Sequence, residues 1–339
     1  MNRYGFVILM MTLATLGSAC SPASQQVEVA SLKATGTSGT GGTGSNGGTG
    51  GATDCKARFE TFAAGQLEWY RARTSYLPIQ KIRSVYSQGT NGHAVVVVHG
   101  YNSSPLNQRD LILSLSLQGY TVIAPLLTGY GVDAVTSNKA TFNDWQKSVE
   151  DAVAVVQPCH SKVSLVGHSF GASLVTNIVS SGRLKNIAKV VSLAPFYKAS
   201  RPELNAAVSY LSANYPTMST TTLAMYVDAS SYEFMIGGEK GEADPSLPML
   251  ALQTVFNSQS LFASTAGMKS ATPMLLVVSH DDMVINNVYA VDYVKAKYSK
   301  TTTVAYDAAL EIGHSFQRRE NNPRFDELVG QIAAHLSAP

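Results

Sequence analysis

Lys162 to Leu174 reads K-V-S-L-V-G-H-S-F-G-A-S-L and sets a serine where it can act as a nucleophile. The apolar run Val163–Val166 ends abruptly in Gly167-His168-Ser169-Phe170-Gly171 and continues into small residues at helical spacing. Strand, sharp turn and helix are the context of a G-x-S-x-G nucleophile elbow. The nucleophile takes a strained backbone conformation at such a turn, so its neighbours two residues away on each side must lack a Cβ. The strain lifts the hydroxyl out of the sheet, and the helix that follows offers free N–H groups to a developing anion. The competing reading is a tight strand-to-helix turn with an incidental serine. The partners further along the chain decide against it.

Val95–Val98 runs into His99-Gly100-Tyr101, a strand end followed by glycine. The backbone N–H of Tyr101, with that of Phe170 just after Ser169, would form a two-donor oxyanion hole. His99 reads as a structural loop histidine rather than a base. Met274–Val278 ends in Ser279-His280-Asp281-Asp282, and the next apolar run ends before Gly313-His314-Ser315. The chain order Ser169, aspartate, His314 is the one an α/β sheet with this elbow requires. His314 would accept the Ser169 proton while the carboxylate holds the imidazole in the right tautomer. His93, His160, His168, His280 and His335 lack that placement, and His168 fills the variable position of the elbow.

These residues need a frame that brings them together. Apolar runs at Ala94–Val98, Thr121–Leu126, Val163–Val166, Val190–Leu193, Met274–Val278 and Thr302–Tyr306 read as strands. Helical patterns lie between most of them: Leu106–Leu117, Phe142–Val156, Ala172–Val179, Asn287–Tyr298 and Arg324–Leu336. Such alternation predicts a mostly parallel sheet covered by helices on both faces. Tyr76–Tyr86 predicts an earlier, antiparallel strand. About seventy residues after Ala194-Pro195 lack a clear core strand, too many for a crossover loop. They read as a cap at about 196–271 that includes a helix over Leu247–Phe262, lying over the C-terminal edge of the sheet where open α/β sheets bind ligands.

From about Tyr76 to the C-terminus the chain resembles an α/β-hydrolase, and is most similar to the capped carboxylesterase and monoacylglycerol-lipase-like group. The resemblance rests on His99-Gly100, the Pro125–Gly131 segment P-L-L-T-G-Y-G, Asp144-Trp145, G-H-S-F-G, the Asp281/Asp282 loop and Gly313-His314. It implies a cap inserted after the sixth strand and serine-dependent ester hydrolysis through an acyl-enzyme intermediate. Members of the group commonly carry His where this chain has Tyr130, a departure expected at the pocket rim rather than in the triad. In the family the acid lies three residues after the small residue that ends the strand, and an apolar pair follows it. Ser279 ends the strand here, which makes Asp282, followed by Met283-Val284-Ile285, the expected acid and leaves Asp281 a bland role. Two other readings stay open: a peptidase or amidase on the same triad, and a catalytically silent surface-binding protein with the same fold.

The rest of the chain sets the compartment. Residues 1–20 carry Arg3, an apolar core from Phe6 to Leu16 and the small residues Gly17-Ser18-Ala19, the pattern of an export signal. Cys20 directly after small residues resembles a bacterial lipobox, in which that cysteine is lipidated, although Gly17 stands where leucine is usual. The alternative is a freely secreted protein. Residues 21–53 are rich in Gly, Thr and Ser and read as a flexible linker between an anchor and a domain at 54–339, whose first helix Asp54 would cap. With Cys20 set aside, Cys55 and Cys159 remain as a pair, and in an oxidising compartment a disulfide is the default. No Cys/His cluster has metal-ligand spacing and no cofactor is expected. The 339 residues carry a net charge of +2, which gives no sign of a nucleic-acid partner. The expected partner is a small ester or lipid, with the membrane met only through the N-terminal anchor.

Overall fold

A computed structural model of the chain describes residues 50–202, 204–218, 249–263 and 267–339. The predicted export signal, the Cys20 lipidation site, most of the predicted linker and residues 219–248 of the predicted cap lie outside the described residues.

Seven strands form one sheet: β1 (Val85–Ser87), β2 (His93–Val98), β3 (Thr121–Ala124), β4 (Lys162–His168), β5 (Val190–Leu193), β6 (Met274–Ser279) and β7 (Thr301–Tyr306). Their spatial order is β1-β3-β2-β4-β5-β6-β7, with β1 antiparallel to β3 and every other pair parallel. Every residue of β2, β3, β5 and β6 is buried, as expected for strands covered on both faces. Helices α1 (Gly50–Arg71), α2 (Arg109–Leu117), α3 (Ala134–Ser137), α4 (Phe142–Val156), α5 (Phe170–Ser180), α6 (Leu204–Asn214), α7 (Met249–Asn257), α8 (Asn287–Lys297) and α9 (Phe325–Ser337) accompany the sheet. The start of α4 shows how local sequence sets a boundary. Thr141 and Asp144 cap one another's backbone N–H groups, and the next residue, Trp145, is buried with Nε1 donating to the Thr128 carbonyl at 2.8 Å.

Three expectations are corrected. The first strand is only Val85–Ser87, because Pro78 offers no N–H to a ladder and Gln80–Ile82 turns as a 3₁₀ helix. The insertion follows the fifth strand, not the sixth, since a single antiparallel strand precedes the parallel ones. Its described part holds α6 and α7, whose junctions meet where Met249 N–H donates to the Met218 carbonyl at 3.0 Å. Finally, Asp54 lies inside α1 rather than capping it, and the helix takes the last four residues of the predicted linker. A glycine costs a helix only about 1 kcal/mol, so Gly50-Gly51 need not stop it.

A disulfide joins Cys55 in α1 to Cys159 in the 3₁₀ turn ahead of β4, closing a sequence separation of 104 residues. In the chain-entropy picture a loop of that length stabilises the fold by about 4–5 kcal/mol. It fixes the first helix against the segment that leads into the elbow strand.

Candidate active site

The elbow is where β4 gives way to α5. Ser169 has φ 53° and ψ −122°, a left-handed backbone that its neighbours permit by being small. A Cβ on Gly167 would stand 2.5 Å from the Gly171 carbonyl oxygen and 2.6 Å from the Ala172 Cα. One on Gly171 would stand 2.3 Å from the carbonyl oxygen of His99 and 2.4 Å from that of Val98. The two glycines thus have different duties. Gly167 lets α5 turn back over its own strand, and Gly171 lets α5 sit against the end of β2. Ser169 N–H donates to Leu193 at 2.8 Å, which ties the elbow to β5.

Three strand ends converge on Ser169. His314, in the loop after β7, places Nε2 2.8 Å from Ser169 Oγ, and its Nδ1 lies 2.7 Å from Asp282 Oδ2. Both the imidazole and the Asp282 carboxyl are removed from solvent. The other carboxyl oxygen, Oδ1, accepts from Val284 N–H at 2.8 Å and Ile285 N–H at 3.2 Å. A carboxylate so held can only accept, so Nδ1 carries the imidazole proton and Nε2 presents a lone pair to the serine hydroxyl. Asp281 takes no part. It is exposed, with its N–H on Ser279 Oγ.

Tyr101 and Phe170 line a cavity of about 30 Å³ together with Ser169 and His314. Phe170 is the first residue of α5, so no carbonyl within that helix accepts its N–H. The remaining wall is apolar: Phe196 after β5, Leu252, Val255 and Phe256 from α7, and Val284 beside Asp282. Sequence reasoning did not single out these wall residues, and their only local signal was the aromatic and apolar richness of the insertion. A larger groove of about 830 Å³ between α1 and α4 contains none of the three converging side chains.

His99 and Tyr130 stand behind this front. Nε2 of His99 accepts from Leu127 N–H at 3.0 Å, so Nδ1 bears the proton and donates to the Gly100 carbonyl at 2.9 Å. The ring therefore ties the loop after β2 to the loop after β3. Burial pushes its pKa down to about 4, which keeps it neutral. Tyr130 is fully buried, edge-on to His99 at 4.9 Å and to Trp145 at 6.1 Å. It fills the core under the site rather than the pocket rim.

Comparison with known proteins agrees with this architecture. A thermostable monoacylglycerol lipase from Bacillus sp. (strain H-257) is 32% identical over 80 residues, and that match covers 24% of this chain and 32% of the lipase. Among solved structures, one from a study of the metagenome-derived lipolytic enzymes LipS and LipT superposes with a TM-score of 0.57 at 18% identity, covering 77% of this chain and 99% of that one. The Paleococcus ferrophilus monoacylglycerol lipase superposes with a TM-score of 0.56 at 17% identity, covering 75% and 97%. At such identities the superpositions speak for the fold. The sequence model of the alpha/beta hydrolase family matches residues 95–320, a span that begins in β2, contains the elbow and ends beyond His314. With more than half the chain matched and the sheet order and elbow in place, this chain belongs to the alpha/beta hydrolase family.

Proposed function

We propose that the chain is a serine hydrolase that cleaves carboxylic esters through an acyl-enzyme intermediate. The observation that carries this reading is the continuous Ser169–His314–Asp282 chain of hydrogen bonds, 2.8 Å and 2.7 Å long, opening onto an apolar cavity. Ser169 Oγ attacks the ester carbonyl carbon as its proton passes to His314 Nε2, and Asp282 stabilises the imidazolium that forms. The carbonyl oxygen becomes an oxyanion held by the N–H groups of Tyr101 and Phe170. Collapse of this intermediate breaks the bond to the alcohol, which leaves with the proton from His314. Water then repeats the sequence on the acyl-serine, releasing the acid and restoring Ser169. The wall of Phe196, Leu252, Val255, Phe256 and Val284 suits a hydrocarbon acyl group, and these five side chains carry no charge to pair with a polar one.

A panel of nitrophenyl esters graded by acyl length, with a monoacylglycerol and a peptide amide beside it, tests the reading. Turnover of esters should exceed that of the amide and stop when a fluorophosphonate labels Ser169. A preference for the amide would move the assignment to a peptidase. No turnover and no labelling would make the chain a silent member of the fold.

We also propose that the protein is exported and held on a membrane by lipid on Cys20. Support comes from the small residues before Cys20, the Gly/Thr-rich stretch after it and the Cys55–Cys159 disulfide, which suits an oxidising compartment. Cys20→Ser should move active enzyme from the membrane to the soluble fraction. Unchanged fractionation would rule out lipid at Cys20 as the anchor.

A further inference from the structure

His168, the residue before Ser169, is buried and places Nε2 3.0 Å from the main-chain oxygen of His314. A carbonyl oxygen only accepts, so Nε2 carries the proton and Nδ1 is left as an acceptor. Nδ1 is itself buried and finds no hydrogen-bond partner among the described residues. The ring lies 5.0 Å from that of His314 and 6.3 Å from that of Phe316, centroid to centroid. Among the described residues, the ring's hydrogen bond therefore goes to the backbone of the residue that must take the serine proton.

A second bond grips the same loop from the other side. Ser279, which ends β6 three residues before Asp282, donates its hydroxyl to the Ile312 carbonyl. The carbonyls of Ile312 and His314 are thus held by two different strands. One strand ends in the nucleophile and the other leads to the acid. The His314 side chain has to meet both at hydrogen-bond distance, and small rotations of its backbone would carry Nε2 off Ser169 or Nδ1 off Asp282.

We propose that His168 is a positioning residue whose Nε2–H fixes the His314 backbone so that the imidazole reaches Ser169 and Asp282 together. The inference rests on the triad reading above. The choice of a histidine here has a physical basis. Burial, and then the neighbouring His314, hold the His168 pKa well below its ordinary value, so the donor stays neutral. A permanently charged donor at this place would oppose the imidazolium that His314 becomes during turnover.

Two substitutions in the full-length protein separate the bond from the ring. His168→Phe keeps an aromatic ring and loses the donor, while His168→Gln keeps a donor at similar reach and loses the ring. The readouts are kcat and KM on the best nitrophenyl ester, the melting temperature, and the downfield proton resonance of His314 Nδ1–H. His168→Phe should lower kcat about a hundredfold, the scale of a displacement near 1 Å, with KM little changed and the downfield resonance broadened or lost. His168→Gln should recover most of both. Wild-type kcat and resonance in His168→Phe would overturn the proposal, as would a His168→Gln variant impaired as much as His168→Phe. If phenylalanine prevents folding, His168→Leu serves as the donorless variant under the same criteria. The resonance is read without substrate, so it decides the role of His168 even if the native protein turns over no ester, a result that would instead defeat the proposed function.

Discussion

Ser169→Ala should lower ester turnover by about a millionfold, the loss that follows removal of a serine nucleophile from a comparable triad, with the folded structure unchanged. Ser169 Oγ meets His314 Nε2, and the backbone bonds of the elbow do not involve the hydroxyl. Leu193 still receives the N–H of residue 169, and Phe196 N–H and Ser173 N–H still donate to its carbonyl. Alanine and serine both carry a Cβ, so the strained φ of 53° costs the two about equally. The loss should therefore be chemical, appearing in kcat with the melting temperature within a few degrees of the native protein. Turnover above about a thousandth of the native rate in protein free of contaminating esterase would remove Ser169 from the mechanism.

Asp282→Asn should cost about 10⁴ in kcat, the scale found when the carboxylate of a comparable triad becomes an amide. The geometry gives the reason. Asp282 Oδ1 accepts from the N–H groups of Val284 and Ile285, so an asparagine oriented to keep those bonds must turn its NH₂ towards His314 Nδ1. The imidazole then moves its proton to Nε2, where it faces Ser169 as a donor and cannot take the hydroxyl proton. Asp281→Asn changes an exposed side chain and should leave kcat within about threefold, as surface substitutions away from such networks usually leave the protein little altered. Measured kcat values for the two variants decide between the carboxylates. Near-native activity in Asp282→Asn would show that another group orients His314.

Legibility followed the range of the interactions. The elbow could be read because everything that makes it an elbow lies within about ten residues: a buried valine and leucine run, two glycines, and a helix of small residues. The helix Phe142–Val156 was equally plain, since its capping residues Thr141 and Asp144 adjoin its apolar pattern. Asp282 needed the family resemblance, because two carboxylates stand side by side and only the turn through Val284 and Ile285 distinguishes them. Tyr130 looked like a rim residue from its place in the P-L-L-T-G-Y-G segment, but core packing against His99 and Trp145 claimed it.

By itself, the sequence determined the alternation of strands and helices and singled out Ser169 and His314 as the proposed nucleophile and its partner, because hydrophobic period and turn chemistry act between near neighbours. The tertiary structure alone decided what those residues touch. Gly171 is needed because the carbonyls of Val98 and His99, some seventy positions earlier, crowd its Cα. The cavity wall comes from α7, and its contact with Ser169 depends on where the whole insertion after β5 returns to the sheet. His168 occupied a position that the elbow motif leaves free, and its bond spans 146 residues to His314. A contact of that separation exists only once the order and register of the strands between the two residues are set. No local pattern encodes it, which is why the sequence left the side chain next to Ser169 without a role.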